Sequence, residues 1–538
     1  NKVSVLGSSE DEHLAGDLYT DKGDDLRWNT NAFLYYTRTL KKHNLNFSLG
    51  VEASSTNTSS TSAHYRGFPS GEFHSLNYAA EIYKKPTKSE NTTRLFSTIG
   101  SLNYTYDNIY LLDAAVRFDG SSEFGSNQKW APFFSGGIGL NIHNYEFLKG
   151  NRYINQLKIR GSYGRTGKVN FAPYAATTMY EAMFDEWYVT GYGVTLKALG
   201  NRNLSWEKTD KFDVGFDFQF FNQRLTITGD YFYEKTIDLI NDVTLSTTSG
   251  FSTYKNNLGE VENKGVEFQI RGDIVQTKNW NLALWGNLSH NKNKILKISD
   301  SQKAYNERVQ KYYAEAEQYQ NTVNASSDSK YAIPIPQYAE GGSITSIWGV
   351  QSLGIDPTTG KELFLNRDGS VSSTWQASQQ VVLGNTEPKV QGSFGFNLGY
   401  RNWTLFASFL YECGGQAYNQ TLVDNVENAD IAYSNVDLRV LTDRWQKPGD
   451  ITQLKDIKDR NATTLPSSRF VQTNNLLNMS ALTLSYDFER KWIQKMHMNM
   501  LRLEISTNDL FYISTVKRER GLDYPKAWDI NFAVKVQF

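Results

Sequence analysis

The 538-residue sequence has one cysteine, eleven prolines and no apolar run long enough to form a transmembrane helix. A membrane-spanning helix needs about 20 predominantly apolar residues, so helical spans are excluded. The single Cys413 excludes an internal disulfide and a thiolate metal cluster. The net charge is −1 without a basic stripe, which argues against nucleic acid as a partner. The seven histidines are scattered, and neither HExxH nor G-x-S-x-G occurs, so we expect no enzyme.

What the sequence does have is strict alternation of apolar and polar residues in many segments. From Phe212 to Phe220 every second residue is apolar, and Asp213 and Asp217 lie between them. Because successive residues of a β-strand point to opposite faces, such a segment has one apolar and one charged face. The last nine residues repeat the pattern and end on Phe538. We therefore predict an all-β, antiparallel fold.

This alternation is typical of a transmembrane β-barrel, in which the apolar face contacts lipid and the polar face lines a wet lumen. The 32 Tyr, 30 Phe and 12 Trp fit the aromatic girdles of such barrels, although large carbohydrate-binding sandwiches are also rich in aromatics. Ending on an amphipathic strand resembles the closing strand of outer-membrane barrels, with Phe538 as the barrel-closing signal. Six residues are predicted to face the lumen: Asp113, Arg117, Asp213, Asp217, Glu267 and Arg271.

Connection lengths favour the same fold, since outer-membrane barrels have short periplasmic turns and longer extracellular loops. Short turns are predicted near 41–44, 107–108, 222–223, 277–279 and 401–402. Long connections are predicted near 55–91, 167–205, 237–259, 292–389 and 413–470. Residues 1–28 read as the remnant of an extracellular loop, and residues 29–538 as about fifteen strands. Because single-chain barrels normally have an even strand number, we expect this sequence to be part of a larger barrel.

Eight blocks of the sequence resemble, in order, the SusC/RagA family of TonB-dependent outer-membrane transporters. The most specific is RFDGSSEFG at Arg117–Gly125, followed by APFFS at Ala131–Ser135. The other blocks are Leu157–Gly167, Asn203–Thr209, Asn257–Glu267, Arg444–Asp450, Ser506–Phe511 and Gly521–Pro525. The resemblance implies an integral protein of the Gram-negative outer membrane. It implies a 22-stranded plugged barrel, of which this sequence is the C-terminal part without plug or early strands.

The resemblance also implies active import of nutrient oligomers, with glycans as the first expectation and oligopeptides as the second. The implied partners are a SusD-like surface lipoprotein, the TonB–ExbB–ExbD complex acting through the absent N-terminal part, a second chain or fragment with plug and early strands, and outer-membrane lipid. No cofactor is implied. The alternatives are a structural or adhesive barrel and a passive porin. A plug and a TonB-binding segment encoded upstream would decide for active import.

Four aromatic residues are candidate ligand contacts, because rigid rings beside polar groups are common in binding sites. Trp187, Tyr188 and Tyr192 lie in the predicted loop 185–192, and Trp285 lies on the polar face of its strand. Sugar rings would stack on these side chains, and peptides would use the same surface. The alternative is that the loop aromatics pack the loop itself or contact the lipoprotein.

Two groups of acidic residues have a less specific interpretation. Asp213 and Asp217 lie about 13 Å apart on an ideal strand, wider than the roughly 6.5–9.5 Å of inverting glycosidases, so we predict ion pairs with arginines such as Arg271 or Arg502.

Family relatives often carry a calcium-like DxNxDG loop, but here Phe364 occupies its first acidic position. Only Asn366 and Asp368 then supply oxygen ligands. We predict a polar turn closed by Gly369, without a metal.

Overall fold

The computed structural model describes most of the chain. The described residues are 2–4, 16–68, 72, 75–169, 171, 173–244, 253–300, 303–304, 306–307, 338–376, 379–431, 436–459, 464–517 and 528–538. The block Gly521–Pro525 therefore lies outside the described residues, as does most of the N-terminal stretch up to residue 15.

Strands dominate the described chain, as predicted. In chain order they are β1 Lys2–Ser4, β2 Asp17–Leu40, β3 His43–Arg66, β4 Glu81–Tyr106, β5 Tyr110–Ser121, β6 Trp130–Asn141, β7 Ile154–Lys168, β8 Met179–Tyr188, β9 Gly191–Ala198, β10 Glu207–Phe220, β11 Leu225–Ile237, β12 Ile240–Thr244, β13 Thr253–Asn257, β14 Glu260–Gln276, β15 Trp280–Lys297, β16 Ser346–Gly349, β17 Gln351–Ile355, β18 Glu362–Leu365, β19 Val371–Ser372, β20 Val381–Asn385, β21 Val390–Tyr400, β22 Trp403–Tyr418, β23 Val471–Asp487, β24 Met500–Asn508, β25 Tyr512–Ser514 and β26 Ile530–Gln537.

Helical segments are short. They include α-helical turns at Gln420–Leu422, Arg439–Thr442 and Arg490–Ile493, a π-helical turn at Val423–Glu427, and 3-10 turns at Leu76–Tyr78, Ile142–Asn144, Ile457–Asp459, Ser468–Phe470 and Gln494–Met496. Among the described residues, none of the helices combines the length and the apolar character that a membrane span requires.

The main sheet contains 17 strands, all paired antiparallel. Two of them, β1 and β25, are three-residue additions beside β2 and β23. The other strands follow one another as neighbours in the order β2 to β7, β10, β11, β14, β15, β21 to β24 and β26. This sheet agrees with the predicted number of about fifteen.

Both outer strands of this sheet have a free side in the part of the chain that the structure describes. β26 pairs with β24 through Ile530–Gln537, and β2 pairs with β3 along its whole length. The three-residue strand β1 pairs with the other side of β2, but only at Asp17–Tyr19. No ladder between described residues joins β26 to β2. The described sheet is therefore not closed on itself, as the odd strand number leads us to expect.

The connections at one end of the sheet are short, which confirms all five predicted turns. They occupy 41–42, 107–109, 221–224, 277–279 and 401–402. Asn108 and Asn222 have φ angles of 55° and 57°, a left-handed conformation that asparagine tolerates better than most residues. The longest connections at this end are 142–153 and 488–499. At the opposite end the longest connections span 169–206, 298–389 and 419–470.

The first three long strands extend further than the sequence predicted. β2, β3 and β4 have 24, 24 and 26 residues, whereas crossing a bilayer takes about 9–11 residues of a tilted strand. The predicted loop 55–91 shrinks to 67–80, and residues 17–28 form a strand instead of a loop. Ser/Thr/Asn-rich segments such as 54–62 lack apolar alternation, so the pattern does not identify them, yet each pairs on both sides.

The apolar face of the sheet is exposed along its strands. Exposed apolar residues on this face include Phe212, Val214, Tyr231, Val266, Ile270, Leu284, Phe394, Leu503 and Phe532. A continuous exposed apolar surface of this extent marks contact with a membrane or another protein. Two buried clusters lie at the end with the long connections, one around Leu204 and Trp206 and one around Val426 and Leu454.

Candidate functional site

The polar face of the sheet carries the charged residues singled out above. The strand register aligns Asp113, Gly137, Ser162 and Asp213 across four strands. A neighbouring alignment joins Arg160, Gly215, Asp230, Glu267 and Ser289. By strand alternation, one face therefore holds all six residues of the predicted lumen set: Asp113, Arg117, Asp213, Asp217, Glu267 and Arg271.

One arginine is at the centre of this face. Arg160 Nη1 lies 3.1 Å from Asp213 Oδ1, its Nε 3.3 Å from Asp217 Oδ2, and its Nη2 2.6 Å from Asp230 Oδ1. Three carboxylates against one guanidinium leave the group negatively charged. We call these four residues the Arg160 cluster. The type of interaction was predicted, but the partner was wrong.

The two arginines proposed as partners pair elsewhere. Arg271 lies 3.6 Å from Asp273 on its own strand, and Arg502 holds Asp487 at 2.6 Å. Both contacts join residues close in sequence or on one hairpin, whereas Arg160 and Asp213 are 53 residues apart. The correct partner is defined by the pairing of β7 with β10, which alternation alone does not give.

A glycine makes the contact between Arg160 and Asp230 possible. Gly215 lies between them on the intervening strand, β10. A β-carbon added to Gly215 would overlap Asp230 Oδ1 and would lie 3.0 Å from both Arg160 Cζ and the carbonyl oxygen of Gly229. The missing side chain therefore opens the path by which the guanidinium reaches across one strand.

Gly215→Ala is expected to separate Arg160 from Asp230 and to destabilise the sheet by about 1–3 kcal/mol, the usual cost of overpacking. The matched control is Gly137→Ala on the same face, where an added β-carbon would have its nearest neighbours at 3.8 Å. The temperature at which each variant loses its folded gel mobility measures the effect. Equal midpoints for the two variants would show that Gly215 has no such role.

A network of amides lies further along the polar face, towards the long connections. Asn293 Nδ2 donates to Asn263 Oδ1 at 2.8 Å, and Asn293 Oδ1 accepts from Ser343 Oγ at 3.2 Å. Asn291 Nδ2 donates to Glu387 Oε1. In contrast, Asn291 Oδ1 is buried and has no hydrogen-bond partner in the part of the chain described. This buried oxygen is therefore an unused hydrogen-bond acceptor.

Two cavities meet at Asn291. One, of about 560 Å³, includes Arg160, Asp213 and Glu267, and the other, of about 610 Å³, includes Asn293, Asn385 and Gln416. The two cavities share Asn291, and we call their polar-face lining, from the Arg160 cluster to the amide network, the polar track. Sequence reasoning missed the amides. The available signal was the alternation of Asn287, Asn291 and Asn293 on the polar face of β15.

The predicted aromatic contacts belong to two separate elements. Trp285 pairs with Arg271 and Gly395 on the polar face, where a β-carbon on Gly395 would lie 2.6 Å from the indole. Residues 185–192 form the tip of the hairpin β8–β9 instead of an irregular loop, with Trp187 opposite Tyr192, which is 52 % exposed. The side chains of Trp187 and Tyr188 lie outside the described part of the structure.

The segment with two possible oxygen ligands forms a turn between β18 and β19. Asp368 Oδ1 accepts from Ser370 N at 2.9 Å and from Ser370 Oγ at 2.7 Å, and Gly369 has a φ of 84°. Asp368 thus serves the turn, in agreement with the interpretation as a polar turn. Over the described ranges, no group of three or more His, Cys, Asp or Glu side chains has metal-binding geometry.

Several of the sequence blocks noted above meet in one buried cluster, which explains their residues structurally. Trp206 stacks on Phe124 with ring centroids 4.4 Å apart. A β-carbon on Gly125 would overlap the carbonyl of Arg202, so the close approach of these two blocks requires glycine there. Asn257 from a third block holds Ser205 through two hydrogen bonds of 2.8 Å. These blocks build the end of the sheet, and Asn263 and Glu267 of the third block also belong to the polar track.

The described parts of 338–389 and 419–470 pack together into a unit that we call the loop lobe. Arg444 is buried and donates to the carbonyl oxygens of Val440, Lys455, Val426 and Glu427 at 2.7–3.1 Å. The next residue, Trp445, donates to the Pro357 carbonyl at 2.9 Å and so ties the two connections together. Burial lowers the pKa of Arg444.

A buried ion triad lies in the same lobe. Arg469 Nη2 is 2.8 Å from Glu362 Oε2 and 2.7 Å from Glu427 Oε1. Glu427 is completely buried, and the other two side chains are at most 9 % exposed. Because Glu362 belongs to one connection and Arg469 and Glu427 to the other, the triad joins the two connections electrostatically.

The chain matches a protein-family model over most of its length. The model described as "TonB dependent receptor-like, beta-barrel" matches residues 7–452. TonB-dependent receptor P3 of Formosa agariphila is 28 % identical over 92 % of this chain and 48 % of its own length. TonB-dependent receptor SusC of Bacteroides thetaiotaomicron is 25 % identical over 94 % of this chain and 50 % of its own length. The chain spans about half the length of the curated relatives it matches.

Comparison with solved structures agrees on the fold. The RagAB peptide transporter superposes with a TM-score of 0.78 at 22 % identity, over 93 % of this chain and 53 % of that one. The RagAB importer in its open-open state gives 0.79 at 21 % identity, over 97 % and 56 % of the two chains. The resemblance read from the sequence blocks is confirmed by these matches.

Proposed function

Because this chain belongs to the TonB-dependent receptor-like β-barrel family, whose SusC and RagA members are integral outer-membrane proteins, we propose that it forms the wall of a transporter that actively imports nutrient oligomers. The observation that carries the proposal is the polar track, which runs along one face of a sheet whose other face is apolar and exposed. In a barrel, that arrangement gives a wet lumen lined by charges and amides and a wall facing lipid.

We propose glycans as the first substrate class and oligopeptides as the second. Amide side chains offer both donors and acceptors to sugar hydroxyls, and the free acceptor Asn291 Oδ1 lies where the two cavities meet. Trp285, on the same face, offers a ring for stacking against a sugar. The peptide alternative is supported by the same hydrogen-bonding groups and by the fold shared with the RagAB peptide transporter.

The proposed assembly has further members. A SusD-like lipoprotein would rest on the loop lobe and on the β8–β9 hairpin, which carries Trp187, Tyr188 and Tyr192. TonB–ExbB–ExbD would supply the energy through a plug-containing part. The free sides of β2 and β26 need pairing partners in lipid, because each unpaired backbone group there costs several kcal/mol. We propose that further strands complete the barrel, with Phe538 at its closing strand.

Substrate binding and uptake test the proposal. Calorimetry on the purified whole complex compares neutral oligosaccharides with oligopeptides, and Trp285→Ala and Asn291→Ala are expected to weaken binding of the preferred class about tenfold, as loss of a buried polar contact does. The control is Trp492→Ala, an exposed ring at the end with the short turns. Uptake by cells should stop without TonB. Undiminished uptake would identify a passive porin, and an absence of both uptake and ligand binding would favour an adhesive or structural barrel.

Phe216→Arg is expected to destabilise the protein by roughly 2–4 kcal/mol, the cost of a cation on the lipid face near the midplane. Phe216 lies on the apolar face, and its ring covers Gly229. The adjacent Asp217→Asn serves as control and should be nearly neutral for folding, since an amide oxygen still accepts from Arg160. Heat-modifiability on gels measures both. Equal destabilisation would refute the assignment of the two faces to lipid and lumen.

A further inference from the structure

The outer face of one hairpin changes from apolar to basic towards the long connections. On β15, Leu284 and Leu288 are followed on the same face by His290, Lys292 and Lys294. Lys264 of β14 pairs directly with Lys292, and Lys389 lies beside His290, whose Nδ1 is 2.6 Å from the Lys389 carbonyl oxygen. We call Lys264, His290, Lys292, Lys294 and Lys389 the basic rim patch.

The position of the patch along the strand corresponds to one membrane boundary. Trp280 begins β15 beside the short turn 277–279 and packs against Tyr400, with ring centroids 4.3 Å apart and the rings tilted by 39°, as residues of an aromatic girdle do. His290 follows ten positions later. Ten residues rise about 33 Å along the strand, which at a tilt of about 40° is close to the roughly 25 Å height of the apolar band. The basic rim patch therefore begins where the lipid headgroups of the outer leaflet begin.

Carboxylates on this face neutralise only part of the charge. Glu262 lies 3.5 Å from Lys264 and also accepts from the Tyr233 hydroxyl, and Glu260 is held by Lys235 at 2.8 Å. Glu262 also lies opposite Lys294 in the strand register, but neither Lys292 nor Lys294 forms an ion pair within 4 Å in the part of the chain that the structure describes. Glu387 also lies in this region, but it contacts Asn291 on the other face. The patch thus keeps a net positive charge.

The patch also has a concave shape. His290, Lys292, Lys294 and Lys389 line the 610 Å³ cavity introduced above. The cavity forms because β15 continues to Lys297, while its pairing with β21 ends at Ser289 and Gln391. The strands diverge beyond that point, and the lysines border the resulting notch on its outer side.

We propose that the basic rim patch binds the phosphorylated headgroup of an outer-leaflet glycolipid. Lysine ammonium groups at a membrane surface attract anionic headgroups, each adding favourable energy within a short range of the surface. The apolar residues directly below, Leu284 and Leu288, lie where the acyl chains of the same lipid would run. This inference rests on the membrane orientation of the proposed function, but it requires neither glycan nor peptide transport.

Native mass spectrometry of the purified whole complex in a non-ionic detergent tests the inference. The added probes are a diphosphorylated lipid A and its dephosphorylated form. The double variant Lys292→Gln, Lys294→Gln should bind diphosphorylated lipid A about tenfold or more weakly. Lys278→Gln, a lysine in the short turn of the same hairpin, should bind like the unmodified protein. If the double variant fails to fold on gels, Lys294→Gln alone replaces it, with a smaller loss expected.

Three outcomes would overturn the inference: equal binding by the double variant, equal binding of the dephosphorylated glycolipid, or displacement of lipid A by millimolar inorganic phosphate, which would indicate a free-phosphate site. Uptake of substrate, measured in the same variants, separates this result from the proposed function. Lys292 and Lys294 border the 610 Å³ cavity from the face of β15 opposite Asn291 and Asn293, so their substitution leaves the amides and charges of the polar face in place and uptake should persist. If the unmodified protein does not bind lipid A but takes up substrate normally, the proposed lipid site is wrong and the proposed transport function stands.

Discussion

Arg469→Met is expected to lower the free energy of unfolding of the loop lobe by about 3–5 kcal/mol, because it leaves two buried carboxylates without their cation. Glu427 is fully buried and Glu362 nearly so, and both depend on Arg469 Nη2 at 2.7 and 2.8 Å. Ser467 Oγ donates to Glu362 at 2.7 Å but carries no charge to compensate. Hydrogen exchange of 346–385 and 420–459 in the purified protein measures the change.

An exposed ion pair and a charge-free triad provide the controls for this prediction. Arg439→Met removes the ion pair with Asp437, in which the arginine side chain is 28 % and the aspartate side chain 33 % exposed. This change should lower the free energy of unfolding by less than about 1 kcal/mol. Adding Glu362→Gln and Glu427→Gln to Arg469→Met should recover part of the lost stability, since neither carboxylate of the triad then remains buried without its cation. Faster exchange of similar size in Arg439→Met and Arg469→Met would contradict the buried-charge explanation.

The sequence predicted the sheet and its short turns well because both follow from local patterns. Period-two alternation from Phe212 to Phe220 identifies most of β10, and short polar segments identify the turns. The long strands β3 and β4 were only partly found. Their distal parts, rich in serine, threonine and asparagine, have no apolar face, and their pairing with neighbouring strands is a tertiary effect.

The sequence predicted which face of the sheet the site residues occupy, but not which residues contact one another. Alternation places Asp213 and Asp217 on the polar face, but which arginine meets them depends on the register of strands about 50 residues apart. The amide network needs Asn263, Asn291 and Glu387 from three segments, the last near the far end of a connection of about 90 residues. Neither the composition nor the apolar–polar alternation of the sequence shows which segments come together. The register of the sheet supplies it.

Deleting Asp529–Phe538 is expected to abolish assembly in the membrane, because it removes the only described partner of the outer side of β24. Eight residues of β24, Met500–Thr507, pair with β26. Without that strand their free N–H and C=O groups would face lipid, where each unsatisfied group costs several kcal/mol. Immunodetection of folded protein in isolated outer membranes measures the loss. Normal membrane levels of the truncated protein would contradict the membrane position of this edge.

Two smaller changes separate the backbone pairing of β26 from its end signal. Lys535→Gln removes only an ion pair with Glu504, in which the lysine is half exposed, so assembly should be retained. Deleting Phe538 alone leaves the ladder intact, because pairing ends at Gln537 and Phe538 is 79 % exposed. Refolding in detergent should then be unchanged, while assembly in cells should fail if Phe538 is the recognised signal. Failure of both after the single deletion would instead make Phe538 part of the folded edge.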